Sequence, residues 1–407
     1  MQNLLFATCQ SKANAHLSRC LTGPRTWRRN NTNRRQLHRQ HTLGPYTPLK
    51  EGAQMHPVFT QTSILIASSS GAIAISEQMM DRYEFAILGA GALGSIIGAH
   101  LSRSGRSVVM LARGQRALDI EREGLRIKGL TDFNQRVPVL TDPSKFEGAE
   151  VFIVATKTHN GKAALSPYSR AKVGSALSVQ NGVMKDDDLV GLWGRERVLG
   201  ALADTSGELL AGGEVLFTRN EQIYIGEFPG DGVGRARAQR ISSVIDRSGI
   251  RASAVPNIES LEWSKFVAWV GMMALAVITR EVTWKYMMDP GLAVVLARLV
   301  REMGILAVAR GITLSNQSPL PVATIIRASE SQAAATIQAC GREIHIKAPQ
   351  HRMSSLQDLE AGRALEVEET LGYAVRNAER LGLSLPTLVS FYSIVAGIDR
   401  IRHANAS

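Results

Sequence analysis

A glycine-rich turn between an apolar run and a helical pattern most constrains the fold of this chain. Residues 83–94 read YEFAILGAGALG, which places Gly89, Gly91 and Gly94 in a G-x-G-x-x-G pattern after a predicted strand, and apolar spacing predicts a helix over 92–101. Such glycines allow a tight turn, backbone approach to a phosphate, and close helix–strand packing. Free N–H groups at the helix start attract negative charge. The pattern predicts a dinucleotide site; the alternative is a glycine-rich turn that binds nothing.

The end of the next predicted strand indicates which dinucleotide is bound. This strand, 108–111, runs into Arg113, at the place where NAD enzymes usually carry an acidic residue for the ribose, about 20 residues past the glycines. Arg113, with Arg116 close behind, instead offers a guanidinium suited to the extra phosphate of NADP. We therefore expect NADPH as cofactor; the alternative is that Arg113 is a solvated surface residue.

Two domains follow from the pattern of the remaining chain. Apolar runs at 151–155, 176–179 and 198–202 are typical of strands in a doubly wound sheet, and 213–217 with 222–227 predict a hairpin. Long helices are predicted over 258–279, 290–310 and 365–381, the first of them capped by Asn257. We therefore predict an α/β Rossmann-type N-terminal domain, 80–256, followed by an all-α C-terminal domain, 257–400.

Charge separates residues 1–79 from this body. The net charge is +11, but the first 80 residues hold nine Lys and Arg against only Glu51 and Glu77. This Ser/Thr/Asn/Arg-rich composition fits a disordered basic extension, an organellar targeting segment or an overlong start, and a nucleic-acid-binding arm is the least favoured interpretation. The apolar run 266–279 is too short to span a bilayer and is predicted to be a core helix. We expect neither a nucleic-acid nor a membrane partner.

Cysteine and histidine usage gives no metal or disulfide pattern. Of three cysteines only Cys340 lies in the body, so neither a disulfide framework nor a thiolate zinc site is expected. His345 and His351 lack a carboxylate or cysteine at ligand spacing and are interpreted as surface or packing residues. We predict no metal and a cytoplasmic location, or an organellar one if residues 1–79 are a transit peptide.

Polar residues at predicted strand ends are candidates for chemistry, because a Rossmann domain exposes its site at that edge. Lys157 follows the strand at 151–155 and Asn181 follows the strand at 176–179, while Lys265 lies on the first long helix. Lys157 would orient a carboxylate or a nicotinamide amide, and Asn181 would bond the nicotinamide ribose or the catalytic group. Either one alone is equally compatible with an ordinary polar loop residue.

Over residues 83–385 the chain resembles the ketopantoate reductases (2-dehydropantoate 2-reductases). The segments that carry the resemblance are Gly89-Ala-Gly-Ala-Leu-Gly94, Arg113, Lys157, Gln180-Asn-Gly182, Glu262-Trp-Ser-Lys265, and Ser354-Ser-Leu-Gln-Asp-Leu-Glu-Ala-Gly-Arg363 leading to Glu366. The resemblance implies a two-domain NADPH oxidoreductase, with a cleft between its Rossmann and helical domains. It also assigns the helical domain, 257–400, to substrate binding and dimerisation, which allows a homodimer.

Roles for individual residues are implied by this resemblance. Lys265 is the general acid for the substrate ketone, and Glu366, the second catalytic residue, holds this lysine or the substrate hydroxyl. The alternatives are a lysine that snorkels from an apolar helix and an acid that complements a helix dipole. Ser354 binds the polar end of the substrate. The cofactor contacts are Gly89, Gly91, Ala92, Leu93, Gly94, Arg113, Lys157 and Asn181.

One departure from the family pattern affects substrate choice. Two asparagines that follow the lysine at four-residue steps in the family are Trp269 and Met273 here, so these two and Lys265 join Ser354 as expected substrate contacts. We predict NADPH-dependent reduction of ketopantoate to pantoate in pantothenate synthesis. The alternatives are a paralogue that reduces a more apolar 2-oxo acid or ketone, and a non-catalytic NADP-binding regulator.

Overall fold

The computed structural model describes residues 83–228 and 234–404. The basic extension predicted at 1–79 lies outside the described residues. Ten strands are present in this part of the chain: β1 (Tyr83–Leu88), β2 (Val108–Leu111), β3 (Leu125–Gly129), β4 (Phe133–Gln135), β5 (Val139–Leu140), β6 (Gly148–Val154), β7 (Lys172–Ser178), β8 (Gly200–Leu209), β9 (Val215–Gly226) and β10 (Ala252–Val255).

Helices surround the strands and then make up the C-terminal part. Those between strands are α1 (Ala92–Arg103), α2 (Gly114–Glu123), α3 (Gly161–Leu165), α4 (Lys185–Trp193) and α5 (Gly234–Arg247). Those after β10 are α6 (Ile258–Thr279), α7 (Thr283–Met288), α8 (Pro290–Ala309), α9 (Val322–Ile325), α10 (Glu330–Lys347), α11 (Ser354–Glu360), α12 (Tyr373–Arg380) and α13 (Pro386–Ala404). The predicted α/β domain followed by a helical domain is confirmed.

The first sheet is parallel and has the order β5-β2-β1-β6-β7. The chain winds outward from β1 to β5 and then returns to the other side of β1 with β6, so the winding direction reverses between β1 and β6. Leu88 at the end of β1 pairs with Val154 of β6, which pairs with Ser178 of β7. Ligands of doubly wound sheets bind outside the carboxyl ends at such a reversal. The turns that follow β1, β6 and β7 therefore meet at one edge.

A second sheet corrects two predictions. The hairpin predicted from 213–217 and 222–227 is wrong, because β9 continues unbroken through Thr218–Gln222 and pairs antiparallel with β8. The polar residues in its middle do not form a turn; they are exposed or half-buried positions of one continuous strand. The run at 198–202 joins the doubly wound sheet only through a parallel bridge between Val198 and Ala176 of β7. It then continues as β8, which belongs to the second sheet, β10-β9-β3-β4 with β8 on β9.

Helix α6 forms the centre of the helical domain. Asn257 caps it by accepting a hydrogen bond from the Ser260 N–H, as predicted. Among the described helices α6 alone is long and apolar enough to cross a bilayer, but 89% of its most apolar window is buried inside the protein, which identifies it as a core helix. The helix predicted over 365–381 is shorter: a π-helical turn, Glu368–Gly372, leads into α12.

Candidate functional site

The glycine turn has the geometry that its sequence predicts. Gly89 has φ +105°, and a Cβ there would lie 2.8 Å from Thr156 atoms. A Cβ on Gly94 would lie 2.0 Å from the Gly89 carbonyl oxygen, whereas one on Gly91 would meet nothing within 4 Å. No side chain caps the start of α1. The turn thus leaves open space in front of free helix N–H groups, which fits a dinucleotide pyrophosphate.

The two arginines near the end of β2 have different environments. Arg113 is exposed at the N-terminal end of α2. The Arg116 guanidinium donates from Nε to the Ala90 carbonyl at 3.0 Å, from Nη1 to the Gly213 carbonyl at 2.7 Å, and from Nη2 to Ser95 Oγ at 3.0 Å. Arg116 therefore braces the glycine turn against the second sheet, and Arg113 is the one of the two with a side chain open to a ligand.

A small cavity of about 20 Å³, with room for about one water molecule, lies between the Gln180–Gly182 turn, strand β8 and helix α6. Lys265 extends into its wall, and its Nζ donates a hydrogen bond of 2.6 Å to the Ala203 carbonyl. Burial disfavours the ammonium and lowers the pKa of Lys265 to about 8, while the Asp204 carboxylate opposes that decrease. The lining residues are Gln180, Asn181, Gly182, Lys185, Ala201, Leu202, Ala203, Glu262, Lys265, Phe266 and Trp269. An amine with a pKa near neutrality, facing a cavity, is suited to proton transfer.

Glu366 lies at a contact between the two domains. Its Oε1 accepts hydrogen bonds from the Thr158 N–H at 2.7 Å and from Thr158 Oγ1 at 2.6 Å. Lys157 Nζ lies 3.8 Å from Glu366 Oε2 and 2.5 Å from Asp358 Oδ2. Arg363 Nε donates to the other oxygen of Asp358 at 2.8 Å. Lys157 and Glu366 are thus brought together, with Thr158 and Asp358 as partners that the sequence reasoning had not singled out.

The structure does not place every candidate in the cavity wall. Trp269 lines the cavity beside Lys265 and is only 7% exposed. Met273, one turn further along α6, packs in the core of the helical domain. Ser354 begins α11 and does not belong to the described wall of this cavity. Of the two residues that stand in place of asparagines, Trp269 is the one that shapes the cavity.

Sequence reasoning also missed a buried charge cluster next to the cavity. Lys185 donates to Glu262 Oε1 at 2.6 Å, to Asp186 Oδ1 at 3.1 Å and to the Ala201 carbonyl at 3.0 Å. A glutamate inside the apolar pattern of α6 is the signal that points to such a cluster, because a buried carboxylate requires a partner.

Comparisons with known proteins agree with this architecture. The pattern described as "Ketopantoate reductase PanE/ApbA" matches residues 85–230, and "Ketopantoate reductase PanE/ApbA C terminal" matches 257–399. A 2-dehydropantoate 2-reductase of Archaeoglobus fulgidus is 28% identical over 313 residues, 77% of this chain and 97% of that protein.

Two solved structures have the same fold. D-mandelate dehydrogenase, determined with NADH and anilino(oxo)acetate, aligns with TM-score 0.69 at 19% identity over 78% of this chain and 99% of that one. A PanE/ApbA family ketopantoate reductase from Ralstonia eutropha JMP134 aligns with TM-score 0.65 at 24% identity over 78% and 99%.

Proposed function

This chain belongs to the ketopantoate reductase family, and on that premise we propose that it reduces the ketone of a 2-oxo acid with NADPH. It is an NAD(P)H-dependent oxidoreductase acting on a CH–OH group. The observation that carries the finer proposal is the Lys265 ammonium, held by the Ala203 carbonyl in the wall of a cavity beside the Asn181 turn.

The residues around the cavity have different roles in this reaction. The cofactor, when bound along the glycine turn, supplies the hydride that adds to the carbonyl carbon. Lys265 donates a proton to the carbonyl oxygen and becomes a neutral amine, which removes the developing alkoxide charge. Asn181 lines the side of the cavity reached from the sheet edge. Lys157 and Glu366 join the domains, and we propose that this contact closes the cleft around the substrate.

Two substrates remain candidates, and Trp269 separates them. The first is ketopantoate, reduced to pantoate in pantothenate synthesis. The second is a more apolar 2-oxo acid, favoured because Trp269 and Phe266 offer apolar surface to the cavity. An indole in place of an amide side chain removes hydrogen bonds to the hydroxyl and carboxylate groups of ketopantoate, and each lost bond is expected to cost about 1 to 3 kcal/mol of binding free energy.

A substrate panel tests the proposal. NADPH oxidation is followed with ketopantoate, aliphatic 2-oxo acids of increasing size and an aryl 2-oxo acid. Clear preference for ketopantoate supports the pantothenate role, and preference for a bulky apolar acid supports the second candidate. Reduction of none of these acids would contradict the proposal.

The rate of reduction should fall as the pH rises through about 8. Only the ammonium form of Lys265 donates a proton, and burial lowers its pKa to about 8, so the donor is progressively lost above that pH. Oxidation of the hydroxy acid requires the neutral amine and should rise over the same range. The measurement is kcat/KM against pH in both directions, and parallel rather than opposite profiles would contradict the assignment of Lys265.

Arg113→Ala should weaken NADPH binding by about 10-fold or more while leaving NADH binding nearly unchanged. The exposed guanidinium is expected to make charge-assisted hydrogen bonds with the 2′-phosphate, which NADH lacks. Calorimetric Kd values for both cofactors provide the measurement. Arg116→Ala is the matched control: it removes the brace of the glycine turn and should weaken both cofactors alike. Equal weakening by Arg113→Ala would rule out a 2′-phosphate contact.

A further inference from the structure

Glu262 connects three structural elements beside the cavity. Its Oε1 accepts a hydrogen bond of 2.6 Å from Lys185 of α4 and one of 3.0 Å from the Ala201 N–H of β8. Both charged side chains are at most 4% exposed. Because α4 begins three residues after Gly182, this contact ties helix α6 to the turn that carries Asn181.

Glu262 also shares a face of α6 with Lys265. The two residues are three positions apart, which places them one above the other on the helix surface. Both bind the backbone of β8, Glu262 at the Ala201 N–H and Lys265 at the Ala203 carbonyl. Residues two apart on a strand face the same way, so helix and strand are joined by adjacent polar contacts in the cavity wall.

We propose that Glu262 is a positioning residue for Lys265, which fixes α6 against β8 and sets the charge next to the ammonium that serves as proton donor. This inference rests on the proposed function of Lys265. The residue acts through Lys265 and through the Lys185 contact, not on the substrate itself.

The charges around Lys265 give the direction of the effect. Burial is the main cause that lowers the pKa of Lys265; Asp204 of β8 and Glu262 raise it, whereas Arg219 of β9 and Lys185 lower it. Burial together with the neighbouring Asp186 raises the pKa of Glu262 to about 8. Removing the Glu262 carboxylate should lower the pKa of Lys265.

The test compares Glu262→Gln with Asp186→Asn in the full chain. Glutamine keeps an oxygen to accept from Lys185 and the Ala201 N–H but carries no charge. The alkaline limb of kcat/KM for reduction should move to lower pH by roughly 0.5 unit or more. Asp186→Asn removes the other carboxylate bound to Lys185, so it perturbs the same buried cluster. Because Asp186 opposes ionisation of Glu262, this variant should not lower the limb.

A second measurement is independent of turnover. The pH dependence of Lys265 acetylation by trace acetic anhydride, quantified by mass spectrometry, gives its pKa directly in each variant. A decrease in the Lys265 pKa that is confined to Glu262→Gln supports the proposal. No decrease, or an equal decrease in Asp186→Asn, overturns it.

Glu262→Asp is the fallback variant if Glu262→Gln does not fold. Aspartate keeps the charge and should keep the pKa of Lys265 measured by labelling, so a decrease of that pKa in Glu262→Asp also overturns the proposal. Lack of 2-oxo acid reduction by the unmodified chain would refute the proposed function and leave this labelling result standing.

Discussion

Replacing Lys265 by alanine is expected to reduce kcat for 2-oxo acid reduction by about 10²- to 10⁴-fold, the range found when a positioned proton donor is removed. Its ammonium lies in the wall of the cavity and is oriented by the Ala203 carbonyl at 2.6 Å. The alkoxide that forms on hydride transfer would then have no proton donor from α6. The Kd for the cofactor should change little, because the glycine turn lies at the end of β1 and not on α6.

Steady-state kinetics with tryptophan fluorescence titration of the cofactor separate these two effects. Lys285→Ala is the matched control, since Lys285 is half exposed, is paired with Glu281 at 2.8 Å, and lies on α7 outside the described cavity wall. It should behave like the unmodified chain. Retained turnover in Lys265→Ala would show that another group donates the proton.

Local sequence spacing encodes one half of the candidate site. Glycine is required at positions 89 and 94 by the local backbone geometry. Gly89 has a positive φ, and a Cβ on Gly94 would lie 2.0 Å from the Gly89 carbonyl oxygen. The cap at Asn257 is equally local, because its side chain bonds an N–H three residues later. Such features need no knowledge of the tertiary fold.

The other half depends on contacts between distant parts of the chain. Lys157 meets Asp358 across 201 positions, and no periodicity relates the two. The Ala203 carbonyl that orients Lys265 is a main-chain acceptor. Because every residue has such a carbonyl, the residue type at position 203 does not indicate this contact. The middle of β9 was predicted to be a turn because its residues are polar. They belong to a continuous strand, and only its pairing with β8, which the sequence does not reveal, shows this. Identification of Lys265 and Glu366 from sequence therefore rested on family resemblance and not on spacing.

Gly91→Ala should lose cofactor affinity by about 10- to 100-fold without loss of stability, which corresponds to one or more charge-assisted hydrogen bonds to phosphate. Gly91 has φ −69° and ψ −167°, a conformation that alanine adopts without strain. A Cβ there meets no protein atom within 4 Å, so the methyl group would enter only the space in front of the α1 N-terminus. Any loss of binding then reports on the ligand path and not on the fold.

Two further glycine variants make this result decisive. Gly397→Ala on α13 also has no atom within 4 Å of the new Cβ, and it should leave the Kd unchanged while slightly raising the Tm. Gly94→Ala places the methyl group against the Gly89 carbonyl oxygen, so it should lower the Tm as well as the affinity. Thermal unfolding and calorimetric titration of the three variants separate the cases. If Gly91→Ala bound the cofactor as tightly as the unmodified chain, the pyrophosphate would not pass over this turn. A pyrophosphate lying over Gly91 would collide with the added methyl group and bind more weakly.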